Sequence, residues 1–367
     1  MPEAPINRKV LLLAPYPAGS VPGQRFRYEQ YLDNLTRAGL DIEVQSFLPS
    51  RVMAYLYQPG RRVGKALAVL EGFVRRLALM ARLGRYDYVF VYREATPIGP
   101  PVVEWILFLA GKRVIYDFDD AIFMEKTSKY NTWVAGLKWP QKAAYIARHS
   151  YKVSVSNPYL REWAARLNHN VVILPTTIDP AYHRTTRQDR GRRPVPVIGW
   201  TGTHSTAGYL DLIRPALVAL QKTVAFEFRV ICDTNPGFPE LDRYRFVRWQ
   251  EATEIEDLDQ FDIGLMPIPD GTWELGKAAF KAIQYSAMEI PPVVSPVGSG
   301  PEVVEHGRTG LVVGNTAEAW RFALETLIRK PDLIAEYGRA ARVRVLATWS
   351  VPAQTPNYVR LFSQEIP

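Results

Sequence analysis

Residues 116 to 120 read Tyr-Asp-Phe-Asp-Asp, and they follow the apolar run Val114-Ile115. A hydrophobic strand that runs into Asp117, Asp119 and Asp120 suits three kinds of chemistry. Two carboxylates can hold a divalent cation, one can act as a nucleophile toward phosphorus, and either can sit on the rim of a transfer cleft as acceptor or base. A plain structural role at a strand end is the fourth reading. Nearby, "YDYVFVYREATPIGPP" places Arg93 and Glu94 at the close of another apolar run, just before a proline-rich loop, where a cleft role and a simple ion pair are equally open.

A second constellation lies between residues 262 and 300, "DIGLMPIPDGTWELGKAAFKAIQYSAMEIPPVVSPVGSG". It reads strand, loop, helix, strand, glycine loop, with the helix expected to begin near Gly276 or Lys277. Lys277 and Lys281 would then be i,i+4 neighbours in the first turns of that helix. Cations there oppose the helix dipole, so a bound anion such as a diphosphate would relieve the conflict, whereas two solvated lysines would leave it. Upstream, "VIGWTGTHSTAGYL" offers Thr203, His204 and Ser205 as phosphate donors or as ordinary helix caps, without the spacing of a dinucleotide fingerprint or a P-loop. In "APYPAGSVPGQRFRYEQYL", Gly23, Gln24, Arg25 and Arg27 could grip an anion or form an ordinary strand-to-helix turn.

These groups need elements to hold them. Twelve short apolar runs alternate with helix-length segments: "KVLLLAP", "DIEVQSF", "YDYVFVY", "RVIYDFD", "YKVSVS" and "VVILP", then "VPVIGW", "FEFRVIC", "YRFVRW", "DIGLMP", "PPVVSP" and "GLVV". That alternation predicts an α/β protein with parallel sheets covered on both faces. "TTIDPAYHRTTRQDRGRRPVP" lacks apolar periodicity and reads as a linker. The expected domains are 1–180 and 181–350, two doubly wound units facing across a cleft, with 351–367 packing back on the first. Ligands of such sheets bind beyond the carboxyl ends of the strands.

The composition is that of an ordinary globular protein, with no apolar stretch long enough for a membrane span and too short an opening run for a secretory signal. A cytoplasmic location is the expectation. Cys232 is the single cysteine, which excludes an internal disulfide and a thiolate metal cluster. Charge is uneven: residues 1–180 hold 24 Lys/Arg against 15 Asp/Glu, and residues 181–367 hold 21 against 22. Part of that excess lies in "RRVGKALAVLEGFVRRLALMARLGR", residues 61–85. At 100° per residue Val63, Leu67, Leu70, Val74, Leu77 and Ala81 form a stripe expected to pack on the sheet. Arg61, Arg62, Lys65, Arg75, Arg76 and Arg82 gather opposite, with Val69, Leu79 and Met80 among them. That basic, partly apolar face suits an anionic membrane surface, or solvent. Neither aromatic-interleaved basic strands nor a helix-turn-helix or zinc-finger spacing points to nucleic acid.

"VIYDFDDAIF" resembles the opening motif of haloacid dehalogenase-type phosphatases, but Ala121 stands where that family needs Thr or Val. Taken together, the chain resembles the retaining glycosyltransferases of family 4, most specifically from Asp262 to Gly314. "PEVVEHGRTGLVV" follows the donor-site block as it does in that family, and "SNPYLREWAARLNHNVVILPTTID" is similar to its crossing into the second domain. The resemblance implies a GT-B architecture of two Rossmann-like domains. It implies transfer from a nucleotide-diphosphate sugar, with retention and no metal or other cofactor, to a glycan or lipid-linked hydroxyl. Gly276, Lys277, Ala278 and Lys281, with Thr203, His204 and Ser205, would hold the diphosphate, and Asp270, Trp273, Glu274 and Gln284 the sugar and nucleoside. Asp119 would be base or sugar contact, beside Asp120, Asp117 and Glu94, with Gly23, Gln24, Arg25, Arg27 and Arg93 on the acceptor side. The family's Glu-x7-Glu is altered: Gln284 takes the second place and Gly276 the first, with Glu274 as the candidate substitute. A DxD-type phosphohydrolase and an inactive nucleotide-sugar binder are the alternatives.

Overall fold

The computed structural model describes residues 7–56, 58, 60–124, 139 and 141–362. Two compact units divide the chain: Met1–Thr176 with Gln354–Pro367, and Thr177–Ala353. The first holds β1 (Arg8–Ala14), β2 (Leu40–Ser46), β3 (Tyr88–Tyr92), β4 (Arg113–Phe118), β5 (Lys152–Val155) and β6 (Val171–Ile173). The second holds β7 (Val197–Thr201), β8 (Glu227–Cys232), β9 (Tyr244–Arg248), β10 (Ile263–Met266), β11 (Pro292–Val294) and β12 (Leu311–Val312). Each expected apolar run supplies one strand.

Both sheets are parallel, in the orders β2-β1-β3-β4-β5-β6 and β12-β11-β10-β7-β8-β9. Central strands such as β3 and β7 are buried along their whole length, because helices cover both faces and every side chain needs to be apolar. The chain reverses direction across the sheet between β1 and β3 in one unit and between β7 and β10 in the other. In such sheets the loops beyond the carboxyl ends at that reversal form the ligand crevice.

The helices that matter below are α1 (Arg62–Met80), α2 (Pro158–Ala165), α3 (Arg214–Leu220), α4 (Phe280–Ala287), α5 (Ala317–Arg329), α6 (Pro331–Thr348) and α7 (Val351–Arg360). Local chemistry sets their starts: Asn157 accepts the Leu160 N–H ahead of Pro158, and Thr316 accepts the Ala319 N–H. In the second unit Leu217 of α3 and Trp320 and Leu324 of α5 pack with Trp200, Phe228 and Leu265. On another part of that core, Ile283 of α4 and Val345 of α6 pack with Met266 and Val294. Gly199 and Gly264 are needed in their strands, because a Cβ would lie 2.1 Å from the Phe261 ring and 2.4 Å from the Tyr285 ring. Buried Cys232, its thiol pushed up to about 11 by burial, is inert.

From Gln354 onward α7 belongs to the first unit. Tyr358 stacks on Tyr31 at 3.9 Å and donates to the Arg27 carbonyl at 2.5 Å. Residues 363–367 of the expected C-terminal segment lie outside the described residues.

Two expectations fail here. The presumed linker is stitched down: Arg187 pairs with Asp262 at 3.0 Å, Arg190 with Asp259 at 2.7 Å, and Arg193 donates to the Gln260 carbonyl. Its arginines complement an acidic segment distant in sequence, which periodicity cannot reveal. The apolar stripe of α1 does not pack on the sheet. Val63, Leu67, Leu70, Val74 and Leu77 are 74, 59, 59, 58 and 51% exposed. The helix packs instead through Lys65, Ala68, Gly72, Arg76 and Leu79. Gly72 admits the Phe47 ring, which a Cβ would approach to 2.7 Å. Buried Arg76 donates to the carbonyls of Ala14, Gln45 and Ala95 at 2.8 to 3.0 Å. A guanidinium whose donors all reach strand-end carbonyls is satisfied in the interior, so the basic side can face inward. Among the described residues no helix is long and apolar enough to cross a membrane.

Below the carboxyl edge of the first sheet lies a fully buried ion pair. Arg27 Nε and Nη2 reach the Asp117 carboxylate at 2.9 and 2.6 Å, Ser154 also donates to Asp117, and Arg27 Nη1 donates to the Leu174 carbonyl. The pair binds the segment after β1 to β4, β5 and the end of β6. Removing one partner strands the other charge in the interior. Arg27→Met should therefore destabilise the unit by about 3–5 kcal/mol, whereas Arg27→Met with Asp117→Leu should recover a large part of that loss. Urea unfolding of both variants measures this; equal stability of the single variant and the parent would remove the pair from its structural role.

Candidate functional site

In the first unit the site is assembled at the switch between β1 and β3. Arg93, the residue after β3, has φ 60°, a left-handed conformation unusual for a side chain of this size. Its N–H donates to the Asp117 carbonyl at 2.7 Å. From there the guanidinium reaches Asp119 Oδ1 through Nε and Nη2 at 2.9 and 2.8 Å and Asp120 Oδ2 at 3.0 Å. Tyr92 adds a hydroxyl to Asp119 Oδ1 at 3.0 Å. Gly23 completes the wall, since a Cβ would come within 2.7 Å of the Tyr92 hydroxyl.

Burial pushes the Asp119 carboxyl up, but Arg93, Arg27 and the hydrogen bonds from Arg93 and Tyr92 outweigh it and hold the group below its ordinary value of 3.8. A carboxylate held that low is a weak base and a good hydrogen-bond acceptor. Oδ1 takes the Tyr92 hydroxyl and two Arg93 donors, while Oδ2 accepts none among the described residues. Glu94 is a neighbour rather than a member of this group, paired with Lys142 at 3.3 Å. Arg25, half-buried, lies over the Phe26 ring.

Three sequence candidates are structural. Asp117 and Arg27 are 0% exposed and spent on each other. Gln24 is buried too: it accepts the Tyr16 N–H and donates to the Tyr16 carbonyl, pinning the loop after β1. Position relative to the end of β4, not alternation, explains the difference between Asp117 and Asp119, which as i and i+2 residues would share a face. Asp117 lies within the strand and faces the core, whereas Asp119 lies just past its end.

In the second unit the groups collect around the switch between β7 and β10. His204 follows β7 and is held by Asp233, which follows β8: its N–H and Nδ1 each meet an Asp233 oxygen at 2.6 Å. Burial raises the Asp233 carboxyl, but the His204 bonds hold it below its ordinary range. Thr203 and Ser205 are exposed and share a hydrogen bond at 2.8 Å. Tyr285, deep in the core, accepts the Thr201 N–H at 3.0 Å and donates to the Leu265 carbonyl at 3.3 Å, bracing the two strand ends against each other.

The helix does not start at Gly276 or Lys277. Glu274–Gly276 is a single 3₁₀ turn, Lys277 is extended, and α4 begins at Phe280 after Ala279, whose φ is 54°. The left-handed Ala279 breaks the continuity, so Lys277 and Lys281 are not neighbours on one helical face. Each ammonium instead lies near an indole, Lys277 5.7 Å from the centre of Trp273 and Lys281 5.4 Å from that of Trp200. α4 has no side-chain cap and no acidic residue in its first turn. The Lys277 carbonyl accepts the Ser299 N–H at 2.9 Å, and Gly298, φ 60°, is required there because a Cβ would sit 2.7 Å from that carbonyl. The Ser299 hydroxyl is buried and has no hydrogen-bond partner among the described residues.

Glu274 is oriented by the Tyr209 hydroxyl at 2.7 Å, with Gly271 making room for its carboxylate. Trp273 and Ala278 are half-buried beside it, Gly276 is buried, and Asp270 is exposed in the same loop. Gln284 is the main correction in this unit. It is 2% exposed, and its amide points inward to Glu254 Oε1 at 3.2 Å and His183 Nε2 at 3.3 Å. Its side chain is engaged in the interior and is not presented to the loop. Asp233, Tyr209, Tyr285 and Ser299 were missed because each acts through a tertiary contact. Only Asp233, a carboxylate ending an apolar strand, carried a local signal.

Residues 195–330 match the family model described as Glycosyl transferases group 1. A segment is 38% identical over 123 residues to D-inositol 3-phosphate glycosyltransferase of Gordonia bronchialis. That match covers 32% of this chain, which spans about a quarter (26%) of the relative's length. A glycosyltransferase from Rickettsia africae superposes with a TM-score of 0.69 at 14% identity, over 97% of this chain and 98% of that one. Sucrose-phosphate synthase from Thermosynechococcus elongatus gives 0.65 at 15%, over 97% and 98%. Anabaena HepE in complex with UDP and glucose gives 0.64 at 15%, over 98% and 100%. The fold is that of GT-B glycosyltransferases, and within the second unit residues 195–330 are similar to Glycosyl transferases group 1.

Two outcomes test this geometry. Arg93→Met removes the largest of the interactions that lower the Asp119 carboxyl, so that carboxyl should rise from its depressed position. In the parent the depressed carboxyl contributes stability that is present above the ordinary aspartate range and lost as pH falls through the lower folded value. The stability gap between parent and variant should therefore widen as pH rises through that range, and a gap independent of pH in urea titrations would refute the assignment. Ala279→Gly should relieve the left-handed strain and stabilise the protein by about 1 kcal/mol, seen as a higher Tm; a lower Tm would mean that the methyl group's packing dominates.

Proposed function

We propose that the protein transfers a glycosyl residue from a nucleoside-diphosphate sugar to the hydroxyl of a glycan, lipid-linked or polysaccharide-precursor acceptor in the cytoplasm, with retention and without a metal ion. The reading rests on one observation. Lys277, Lys281, the uncapped start of α4 and the buried Ser299 hydroxyl belong to the loops and helix at the strand ends of the unit that matches Glycosyl transferases group 1. Two ammoniums and a positive helix end favour a diphosphate, and favour it most when negative charge grows on departure.

In this reading the acceptor oxygen bonds to the anomeric carbon as the bond from that carbon to the phosphate oxygen breaks, and the electron pair leaves with the nucleoside diphosphate. Attack on the face from which the diphosphate departs keeps the configuration. The acceptor proton passes to the leaving phosphate oxygen, because Asp119, already held by Arg93, is too weak a base to take it. Asp119 and Asp120 then serve as acceptors that orient a sugar hydroxyl. Glu274, fixed by Tyr209, with Asp270 and Trp273 in the same loop, contacts the donor sugar. Arg93 already neutralises the two aspartates, which supports a metal-free site. A phosphohydrolase built on Asp117 is disfavoured by the complete burial of that carboxylate against Arg27.

A thermal-shift panel of UDP, GDP, ADP and TDP, each free and sugar-linked, tests the reading. One base series should raise the Tm, since a ligand that binds only the folded state stabilises it. Lys277→Ala with Lys281→Ala should weaken that ligand at least about tenfold, the scale of losing one charge-assisted hydrogen bond. Binding and turnover equal to the parent in the double variant would overturn the diphosphate assignment. Tight binding without turnover of any donor would leave a nucleotide-sugar binder.

A further inference from the structure

The outward face of α1 is apolar over the whole helix. Val63, Leu67, Leu70, Val74 and Leu77 recur every three or four residues and are all more than half exposed, with alanines filling the gaps. The helix has 19 residues, and its stripe from Val63 to Leu77 is about 21 Å long. Its two ends carry exposed cations only: Arg61 and Arg62 at the start, Arg82 and Arg85 just past the end. None of the four is in an ion pair among the described residues, and Arg61 only leans over the Tyr55 ring. The one acid on the helix, Glu71, is engaged by Arg51 and Arg75.

A stripe of this size that no described residue covers marks an interaction surface. The charges decide what covers it. Were a second copy to lie along the stripe, parallel helices would set each arginine pair against itself. Antiparallel helices would set Arg61 and Arg62 against Arg82 and Arg85, and Glu71 near its own equivalent. Like charges meet in both arrangements, so self-association is disfavoured. An anionic bilayer complements the same pattern: leucines enter the acyl boundary while both arginine pairs rest among phosphate head groups. We infer that α1 lies in the plane of an anionic membrane, with Val63, Leu67, Leu70, Val74 and Leu77 inserted and the terminal arginines at the head groups. This reverses the face that sequence periodicity suggests, because the side bearing Lys65 and Arg76 is the one buried in the protein. The inference needs no assumption about the sugar donor.

Co-sedimentation of the purified protein with vesicles of phosphatidylcholine alone, and of phosphatidylcholine with phosphatidylglycerol, tests it. The protein should partition to the anionic vesicles and release as salt rises. Leu67→Gln, Leu70→Gln and Leu77→Gln together should cut partitioning at least about tenfold, as expected when most of the inserted apolar surface is lost. The Tm should not fall, because these side chains are more than half exposed. Arg62→Ser with Arg82→Ser and Arg85→Ser should weaken binding to the anionic vesicles and flatten its salt dependence. Absence of partitioning, equal partitioning to both vesicle types, or equal partitioning of the leucine variant and the parent would each overturn the inference. So would a dimer in sedimentation velocity that the leucine variant dissolves, since the stripe would then be a protein interface.

Discussion

All strands of each sheet run in one direction, and the rest of the arrangement follows from that constraint. Parallel strands deliver all their carboxyl ends to one edge, so the loops that leave them share that edge whatever their order in the chain. Arg93 leaves β3, Asp119 leaves β4, His204 leaves β7, Asp233 leaves β8, Lys277 follows β10 and Ser299 follows β11. Residues scattered over the sequence are thereby gathered without any local motif joining them. Where the sheet order reverses, neighbouring loops diverge, and the polar groups of each unit lie around such a reversal.

Holding charged groups at these edges takes donors and acceptors placed below them. Arginine does this in the interior: Arg27 closes on Asp117, Arg76 caps strand-end carbonyls, and Arg190 closes on Asp259. Its planar fork satisfies several acceptors at once, which a lysine ammonium cannot match in fixed geometry. Lys277 and Lys281 lie instead beside indoles, whose ring faces attract a cation. The aspartates divide likewise, one buried and paired, the next at the rim with its Oδ2 still able to accept.

The elements were legible in the sequence because burial on both faces of a parallel sheet writes itself as short apolar runs, and twelve such runs became twelve strands. What stayed hidden depended on partners far away in sequence. Asp117 and Asp119 look equivalent until Arg27 claims the first. The 176–196 stretch looks like a linker until Asp259 and Asp262 receive its arginines. α1 was legible as an amphipathic helix, but the direction of its faces was not. An apolar stripe normally turns inward, and only the carbonyls of Ala14, Gln45 and Ala95 explain why Arg76 does so instead. The break before α4 was hidden for a different reason: a left-handed alanine has no signature in composition.

The two departures from the Glu-x7-Glu pattern are physically connected. Position 284 points into the interior, where Glu254 stands 3.2 Å from its side-chain amide. A glutamate there would press two carboxylates together in a buried site, a costly arrangement unless one is protonated. Glutamine donates to Glu254 instead and removes the conflict, so Gln284 fits its surroundings as a structural residue. Gly276, eight residues earlier, is buried at the end of the turn that begins with Glu274. The turn thus places one carboxylate two residues before the glycine, and Tyr209 fixes its direction. The loop keeps an oriented carboxylate by other means, which is what the proposed function requires of it.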